Sequence, residues 1–235
     1  MPPRKTKAVL AAEAAERSRR AFLIGIAGLG AAGAVGVGVG SWLFRRDPQL
    51  PTMAIVSRED WGALPANIDG SVEGRYDPLA NPGGYLVYDK PLTVALKDLI
   101  VHHTATGFEA TPADIQRLHM QDRGYADVGY HFMIGADGTI YAGRALEARG
   151  AHTGGRNTGS IGVSLFGNFE DVTPTIAQID SLWRLASALV HDYWLDHLGG
   201  HRDYQPGATV CPGANLWPRL PDLAAACRVA LVRVA

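Results

Sequence analysis

His201 and Cys211, ten residues apart, are the pair in this sequence whose side chains most clearly point to chemistry. Imidazole nitrogen and thiolate sulfur are ligands that Zn²⁺, a borderline-soft ion, prefers. The loop between them is too open for a compact zinc finger, so further ligands must come from elsewhere in the chain. Three protein ligands plus water would make a catalytic site, and four would make a structural one. The alternative to a metal site is a loop with a surface histidine and a buried cysteine. A free cysteine often serves simply as a small core residue.

A second source of ligands is the pair His102-His103, which ends the apolar run 98–104. The run predicts a buried central strand, and the end of a strand is a rigid place to mount a ligand. Because side chains alternate along a strand, the two histidines face opposite sides, and only one can reach a given metal ion. A lone buried histidine is more often a core residue, but a pair at a strand end favours metal ligation.

Helix and strand patterns are interleaved along the rest of the chain. Beside the strand at 98–104, they predict a helix from Thr111-Pro112 to Gly124, a hairpin from 129–134 and 138–141, a strand at 160–167, a helix from Thr173-Pro174 through Tyr193 and a final helix at 221–234. Residues 64–92, rich in Pro, Gly, Asn and Asp, predict a long irregular crossing over the core. The pattern indicates an α/β fold: a single domain with a mixed central β-sheet flanked by helices.

Composition limits the classes of partner. The net charge is −1, with 47% hydrophobic and 19% charged residues, which is ordinary for a globular domain. No overall basic field favours nucleic acid, so we predict no nucleic-acid partner. Two cysteines, Cys211 and Cys227, cannot build a disulfide framework. If Cys211 binds metal it must be a free thiolate, and Cys227 is then expected to be reduced as well.

The first 46 residues differ in composition from the rest. A basic stretch precedes the apolar run 21–44, which contains seven glycines, and Arg19-Arg20 followed by Phe22-Leu23 resembles a twin-arginine export signal. The apolar run is also long enough to span a bilayer, which takes roughly 20 residues, so it is a candidate membrane tether through residues 22–44 as well, and the two roles do not exclude each other. We predict export across the cytoplasmic membrane and leave cleavage open. The predicted boundaries are 1–46 for this signal or anchor, 47–52 for a linker and 53–235 for the domain.

Five motifs then follow in order along residues 53–235. They are Val101-His102-His103-Thr104, Gly129-Tyr130-His131-Phe132, Gly150-Ala151-His152, Ser160-Ile161-Gly162-Val163 and Gly200-His201-Arg202-Asp203 with Cys211-Pro212-Gly213. Each motif alone is weak, but five in this order are specific. Together they resemble the zinc-dependent N-acetylmuramoyl-L-alanine amidases of type 2, the family that includes the peptidoglycan recognition proteins. Residues 56–63 resemble the segment that opens the recognition-protein branch.

The resemblance implies an enzyme that uses Zn²⁺ to hydrolyse the amide bond between N-acetylmuramic acid and L-alanine in peptidoglycan. Peptidoglycan and muropeptides are the implied partners. The implied metal ligands are His102, His201 and Cys211, with His103 as the reserve candidate. Spacing is the one departure: His201 and Cys211 are two residues further apart than the family pattern, and we expect residues 204–207 to bulge outward.

Further roles are carried over from the family to matching positions. Tyr130 matches the catalytic tyrosine, whose hydroxyl can donate to a developing oxyanion or orient the water. Thr209 occupies the position of a second donor, an assignment that depends on how the loop is accommodated. His152 matches a histidine of the substrate cleft, and His131 is the other substrate-binding candidate.

Two other functions compete with the enzyme. Family members that lack the cysteine bind peptidoglycan without cleaving it, so a non-catalytic binding module is the main alternative. Cys211 and Tyr130 are both present here, which favours an enzyme. An unrelated exported metal-dependent hydrolase would share the zinc chemistry, but the order of the motifs argues against it.

Overall fold

The computed structural model describes residues 53–232. The predicted export signal or anchor, residues 1–46, and the predicted linker, residues 47–52, lie outside the described residues. Within the part that is described, no helix combines the length and apolar character needed to cross a bilayer.

One mixed β-sheet organises the described domain. Its strands are β1 Ile55–Val56, β2 Asp98–His103, β3 Phe132–Ile134, β4 Ile140–Ala142, β5 Ser160–Leu165, β6 His197–Gly200 and β7 Ala230–Leu231. They lie in the order β1-β4-β3-β5-β2-β6-β7. The hairpin β3–β4 is antiparallel, and the other five neighbouring pairs are parallel. The predicted fold class, a mixed central sheet in one α/β domain, is confirmed.

Helices cover the sheet and connect its strands. They are α1 Leu92–Ala95, α2 Pro112–Arg117 with a π-helical turn at Leu118–Asp122, α3 Ile176–Tyr193, α4 His201–Tyr204, and α5 Leu220–Cys227 after a 3₁₀ turn at Trp217–Arg219. Helix α2 begins as predicted, because Thr111 and Asp114 form a reciprocal capping box. Helix α3 begins later than Thr173-Pro174 predicts, because Thr175 and Gln178 form its capping box instead.

The predicted final helix, 221–234, is wrong beyond Cys227. Arg228 adopts a left-handed conformation with φ of 57°, which ends α5. The chain then extends as β7, whose Ala230 and Leu231 pair with β6. Pairing satisfies backbone groups of β6 that would otherwise form an open sheet edge.

The two faces of the sheet have different surroundings. On one face, Leu99 and Val101 of β2 pack with Ile161 and Val163 of β5 in the buried core that includes leucines of α3 and α5. Alternation directs the intervening side chains of β2 and β5 to the other face. That face carries the polar residues described in the next section.

Residues 64–92 form a strap, a largely irregular segment with isolated bridges at Arg75, Asp77 and Val87. An ion pair fastens the strap to the domain: Arg144 donates to both carboxylate oxygens of Glu73, at 2.7 and 2.9 Å. The Arg144 side chain is fully buried. Its remaining N–H groups donate to three backbone carbonyls, so all five are used.

Glu73→Ala should therefore destabilise the domain by about 3–5 kcal/mol, because it leaves the buried guanidinium of Arg144 without its counter-charge. Asp69→Ala is the matched control, since it breaks an exposed strap pair, Asp69–Arg75, whose atoms are 2.7 Å apart. Exposed pairs contribute little, so this control should stay close to the parent. Urea unfolding of the three proteins makes the comparison, and equal losses in both variants would contradict the anchoring role of Glu73.

Candidate metal centre and cleft

Two parallel strands bring the first two candidate ligands together. In the pairing of β2 with β6, Val101 lies opposite Gly200. The residues that follow, His102 and His201, are therefore neighbours, with ring centroids 4.7 Å apart. His102 is almost completely buried, and His201 is half-buried at the start of α4. Asp203 caps this short helix by accepting a hydrogen bond from the Gly200 N–H at 2.7 Å.

Cys211 completes a cluster of three side chains. One ligand atom each from His102, His201 and Cys211 all lie within 4.8 Å of one another. His102 Nδ1 is 3.6 Å from Cys211 Sγ. A tetrahedral zinc ion with bonds of about 2.3 Å to sulfur and about 2.0 Å to nitrogen separates two such ligands by about 3.5 Å. The types of the three residues and the spacing of these two atoms therefore fit zinc.

A glutamine orients the second histidine. Gln205 Oε1 lies 2.7 Å from His201 Nε2, and Gln205 Nε2 donates to the carbonyl of Gly154 at 2.8 Å. With the amide oxygen as acceptor, the proton of a neutral His201 is on Nε2, and Nδ1 keeps its lone pair for a metal. Sequence reasoning missed Gln205. Its position four residues after His201, on the same side of a helical turn, is the signal that could have found it.

His103, the reserve candidate, faces the other way. Its Nδ1 accepts a hydrogen bond from the Phe169 N–H at 3.1 Å, and its ring lies 6.1 Å from the Phe169 ring. Of the two adjacent histidines, His102 thus belongs to the cluster and His103 does not.

Burial sets the protonation of the cluster. The pKa of His102 lies well below its usual value, first because of burial and then because of His152 and His201 nearby. Burial also lowers the pKa of His201, although the hydrogen bond with Gln205 acts in the opposite direction. It raises the pKa of the Cys211 thiol to about 12. Neutral imidazole is the form that binds a metal, and a bound dication would deprotonate the thiol.

Tyr130 lies beside the cluster, in the segment just before β3. Its ring centroid is 5.1 Å from that of His102, and the ring also packs 5.2 Å from His119. Burial first, and then the neighbouring Cys211, raises the pKa of the phenol above its usual value. The hydroxyl therefore stays protonated at neutral pH and can act as a hydrogen-bond donor.

Ser164 is a buried hydroxyl on the same face. It lies opposite His102 in the pairing of β2 with β5. Among the described residues, Ser164 Oγ has no hydrogen-bond partner of ordinary geometry, although it lies close enough to Tyr130 to lower the pKa of the phenol. Sequence reasoning missed it, yet the alternation of Ser160, Gly162 and Ser164 with apolar residues predicts a polar side of this strand.

Thr209 lies on the wall of the cleft. Its Oγ1 accepts a hydrogen bond from the Cys211 N–H at 3.1 Å, so the hydroxyl hydrogen remains available for donation. The predicted outward bulge is shifted along the loop. Tyr204 belongs to α4, and its hydroxyl donates to Asp98 at 3.0 Å, whereas residues 206–208 are exposed.

The two predicted substrate-binding histidines occupy different places. His152 borders the cleft, and its Nδ1 lies 3.0 Å from His102 Nε2. His131 is buried beneath the site: its Nδ1 accepts from the Gly162 N–H at 2.9 Å, and its Nε2 lies 3.1 Å from the Ala148 carbonyl oxygen. With both ring nitrogens bonded to backbone, His131 supports the loops around the cleft. The structure does not bring it to the cleft wall.

Two members of the cluster, His201 and Cys211, line a cleft of about 860 Å³. Its walls include charged side chains from the strap and from neighbouring loops: Glu73, Arg123 and Arg149. Ligand clefts in proteins typically measure about 300–1,000 Å³. A set of candidate metal ligands with neighbouring hydroxyl groups thus lies beside a space of ligand size.

Known proteins share this fold and are similar in sequence. Residues 93–214 match the family model described as Amidase_2: N-acetylmuramoyl-L-alanine amidase. The chain is 37% identical over 175 residues to Peptidoglycan-recognition protein SC2 of Drosophila melanogaster, covering 70% of this chain and 83% of that protein. The chain therefore belongs to the N-acetylmuramoyl-L-alanine amidase family of type Amidase_2, as the sequence predicted.

Solved structures agree with this membership. The N-acetylmuramoyl-L-alanine amidase LysC from Clostridium intestinale is 34% identical with a TM-score of 0.53, covering 61% of this chain and 94% of that one. A mutant of Drosophila PGRP-LB in complex with tracheal cytotoxin is 28% identical with a TM-score of 0.55, and the match covers 70% of this chain and 91% of that one. The family thus contains both amidases and peptidoglycan recognition proteins.

Proposed function

We propose that this domain is a zinc-dependent amidase that hydrolyses the amide bond between N-acetylmuramic acid and L-alanine in peptidoglycan. The convergence of His102, His201 and Cys211 beside Tyr130, with His201 and Cys211 lining the cleft, is the observation that carries this proposal. Similarity to LysC, a named amidase, supports the reaction. Similarity to peptidoglycan recognition proteins supports peptidoglycan as the ligand.

The chain's own residues divide the work of amide hydrolysis. His102, His201 and Cys211 would hold the zinc ion through two neutral imidazoles and a thiolate. Bound zinc supplies Lewis acidity, which polarises a carbonyl and lowers the pKa of water from about 15.7 to about 7. Tyr130 keeps its proton because burial raises the pKa of the phenol, so its hydroxyl can donate to the developing oxyanion. Thr209 supplies a second hydroxyl at the cleft wall.

Loss of the thiol tests the metal site. Cys211→Ala should lower zinc content well below one ion per domain and abolish cleavage, because one of three ligands is gone. Cys227→Ala is the matched control, since this half-buried thiol lies beside Ser187, 3.7 Å from its hydroxyl, and should keep both properties. Elemental analysis and mass identification of muropeptide fragments measure the two. Stoichiometric zinc in Cys211→Ala would remove Cys211 from the site.

Loss of one hydroxyl tests catalysis. Tyr130→Phe should keep fold, zinc and substrate binding, while kcat falls by about 10²–10³ because an oxyanion donor is lost. KM should change little, since the interaction strengthens mainly in the transition state. Tyr141→Phe is the control, because that ring stacks on Phe166 at 6.1 Å and its change should leave turnover intact.

Steady-state kinetics on purified muropeptides distinguish the two competing functions. Turnover at the parent level in Tyr130→Phe would rule out the catalytic role of this residue. A zinc-loaded parent that binds peptidoglycan without cleaving it would instead favour the non-catalytic binding module.

We also propose that residues 1–46 direct export across the cytoplasmic membrane by the twin-arginine route. The support is the sequence Arg19-Arg20 with Phe22-Leu23 ahead of an apolar run. Changing both arginines to lysine should leave the folded protein in the cytoplasm, as measured by cell fractionation. Export at the parent level would show that another pathway recognises the segment. N-terminal sequencing of the exported protein would decide between a cleaved signal and a tether through residues 22–44.

A further inference from the structure

His102 makes a second contact, on the side of the ring that faces away from the cysteine. Its Nδ1 lies 3.6 Å from Cys211 Sγ, and its Nε2 lies 3.0 Å from His152 Nδ1. The two imidazole rings meet nearly edge to face, with an interplanar angle of 80°. One ring nitrogen of His102 thus faces Cys211, and the other faces a second buried histidine, His152.

The hydrogen bonds beyond His152 form a chain that ends on the backbone. His152 Nε2 lies 3.4 Å from Ser160 Oγ, and the Ser160 hydroxyl donates to the carbonyl of Arg156 at 2.7 Å. Because the Ser160 proton is used on Arg156, the serine oxygen accepts from His152 Nε2. His152 Nδ1 is then unprotonated and accepts from His102 Nε2. This polarity leaves His102 Nδ1 unprotonated, with its lone pair directed at the cluster.

The surroundings hold His152 in this position. A Cβ placed on either Gly150 or Gly162 would lie 2.5 Å from His152 Cδ2, so only glycine at both positions leaves room for the ring. Asn157 Oδ1 accepts from the backbone N–H groups of His152 and Thr153, at 2.9 and 2.7 Å. The buried Thr153 hydroxyl lies 3.0 Å from His152 Nδ1 and stays within the same network. His152 is only 9% exposed, so little of the ring reaches the cleft.

We propose that His152 is a positioning residue for the metal ligand His102: it fixes the ring orientation and the tautomer of His102, and Ser160 fixes those of His152 in turn. This inference rests on the proposed function only in taking His102 as a ligand. It gives His152 a role toward the metal ligand besides the predicted contact with substrate, and His152 does border the cleft. Partners of this kind typically change metal affinity by about 10- to 100-fold when they are removed.

Two substitutions of similar size separate the two ends of the His152 ring. In His152→Asn the amide oxygen stands near the position of Nδ1 and can still accept from His102. In His152→Gln the amide stands near the position of Nε2, so it reaches Ser160 and removes the nearer acceptor of His102, which keeps the longer contact of its Nε2 with Thr153 Oγ1 at 3.4 Å. The Asn variant should stay within about threefold of the parent zinc affinity, and the Gln variant should bind zinc about 10- to 100-fold more weakly.

Competition against a chromophoric chelator measures zinc affinity without substrate, and thermal unfolding in EDTA measures the metal-free fold. Equal zinc affinity in the parent and both variants would overturn the inference. Equal weakening in Asn and Gln, together with equal loss of metal-free stability, would assign His152 a purely structural role and overturn it as well. If the Gln variant does not fold, Ser160→Ala provides the test: zinc binding weakened by about 3- to 10-fold is expected, and unchanged affinity would overturn the inference.

The proposed enzyme activity can fail separately. A parent that binds zinc but cleaves no muropeptide would contradict the amidase and leave the role of His152 intact. A parent that binds no zinc would overturn both.

Discussion

Strand β2 is hydrogen-bonded along both edges, to β5 on one side and β6 on the other, and this double pairing determines the rest of the site. A shift of one residue would exchange His102 with His103 and turn Leu99 and Val101 out of the core. Burial of these apolar side chains against the helices therefore selects the register. The same register places His102 next to His201. Packing on one face of the sheet thus determines which histidine joins the cluster on the other face.

A second constraint is the removal of five histidines from water. The five, all at most 9% exposed, are His102, His103, His119, His131 and His152. Burial lowers the pKa of His119 to about 3 and that of His131 to about 4, so both rings are neutral at neutral pH. Their nitrogens bond to the protein: His119 Nδ1, for example, accepts from the Gly129 N–H at 2.9 Å. His119 and His131 thus hold the loops that surround Tyr130 and the cleft, while His102 keeps one nitrogen for a metal.

Local patterns predicted the parts of the fold that depend on neighbouring residues. Apolar runs and alternation located β2 and showed that His102 and His103 must face opposite sides, and Thr111 with Asp114 marked the start of α2. Contacts between residues far apart in the sequence could not be predicted from these local patterns. Glu73 and Arg144 are 71 residues apart, and the sequence around each of them does not indicate that they pair. The last strand was missed for the same reason, because its partner β6 decides its conformation.

The site residues show the same difference between what local patterns predict and what long-range contacts determine. Motif order indicated His102, His201 and Cys211, since each motif carries its own local signature. The role of His131 required its partners, the backbone of Gly162 and the carbonyl of Ala148, which only the folded chain brings near.

The nine residues between His201 and Cys211 show how a loop can be fixed at both ends while its middle lies in solvent. Gln205 turns inward, where it joins His201 to the carbonyl of Gly154. Residues 206–208 turn outward into solvent, as is usual for a connecting loop. Thr209 then returns to the cleft wall and accepts from the Cys211 N–H, which sets the direction of the thiol. Both ends of the loop are held by hydrogen bonds, so the exposed residues between these anchors do not determine the positions of His201 and Cys211.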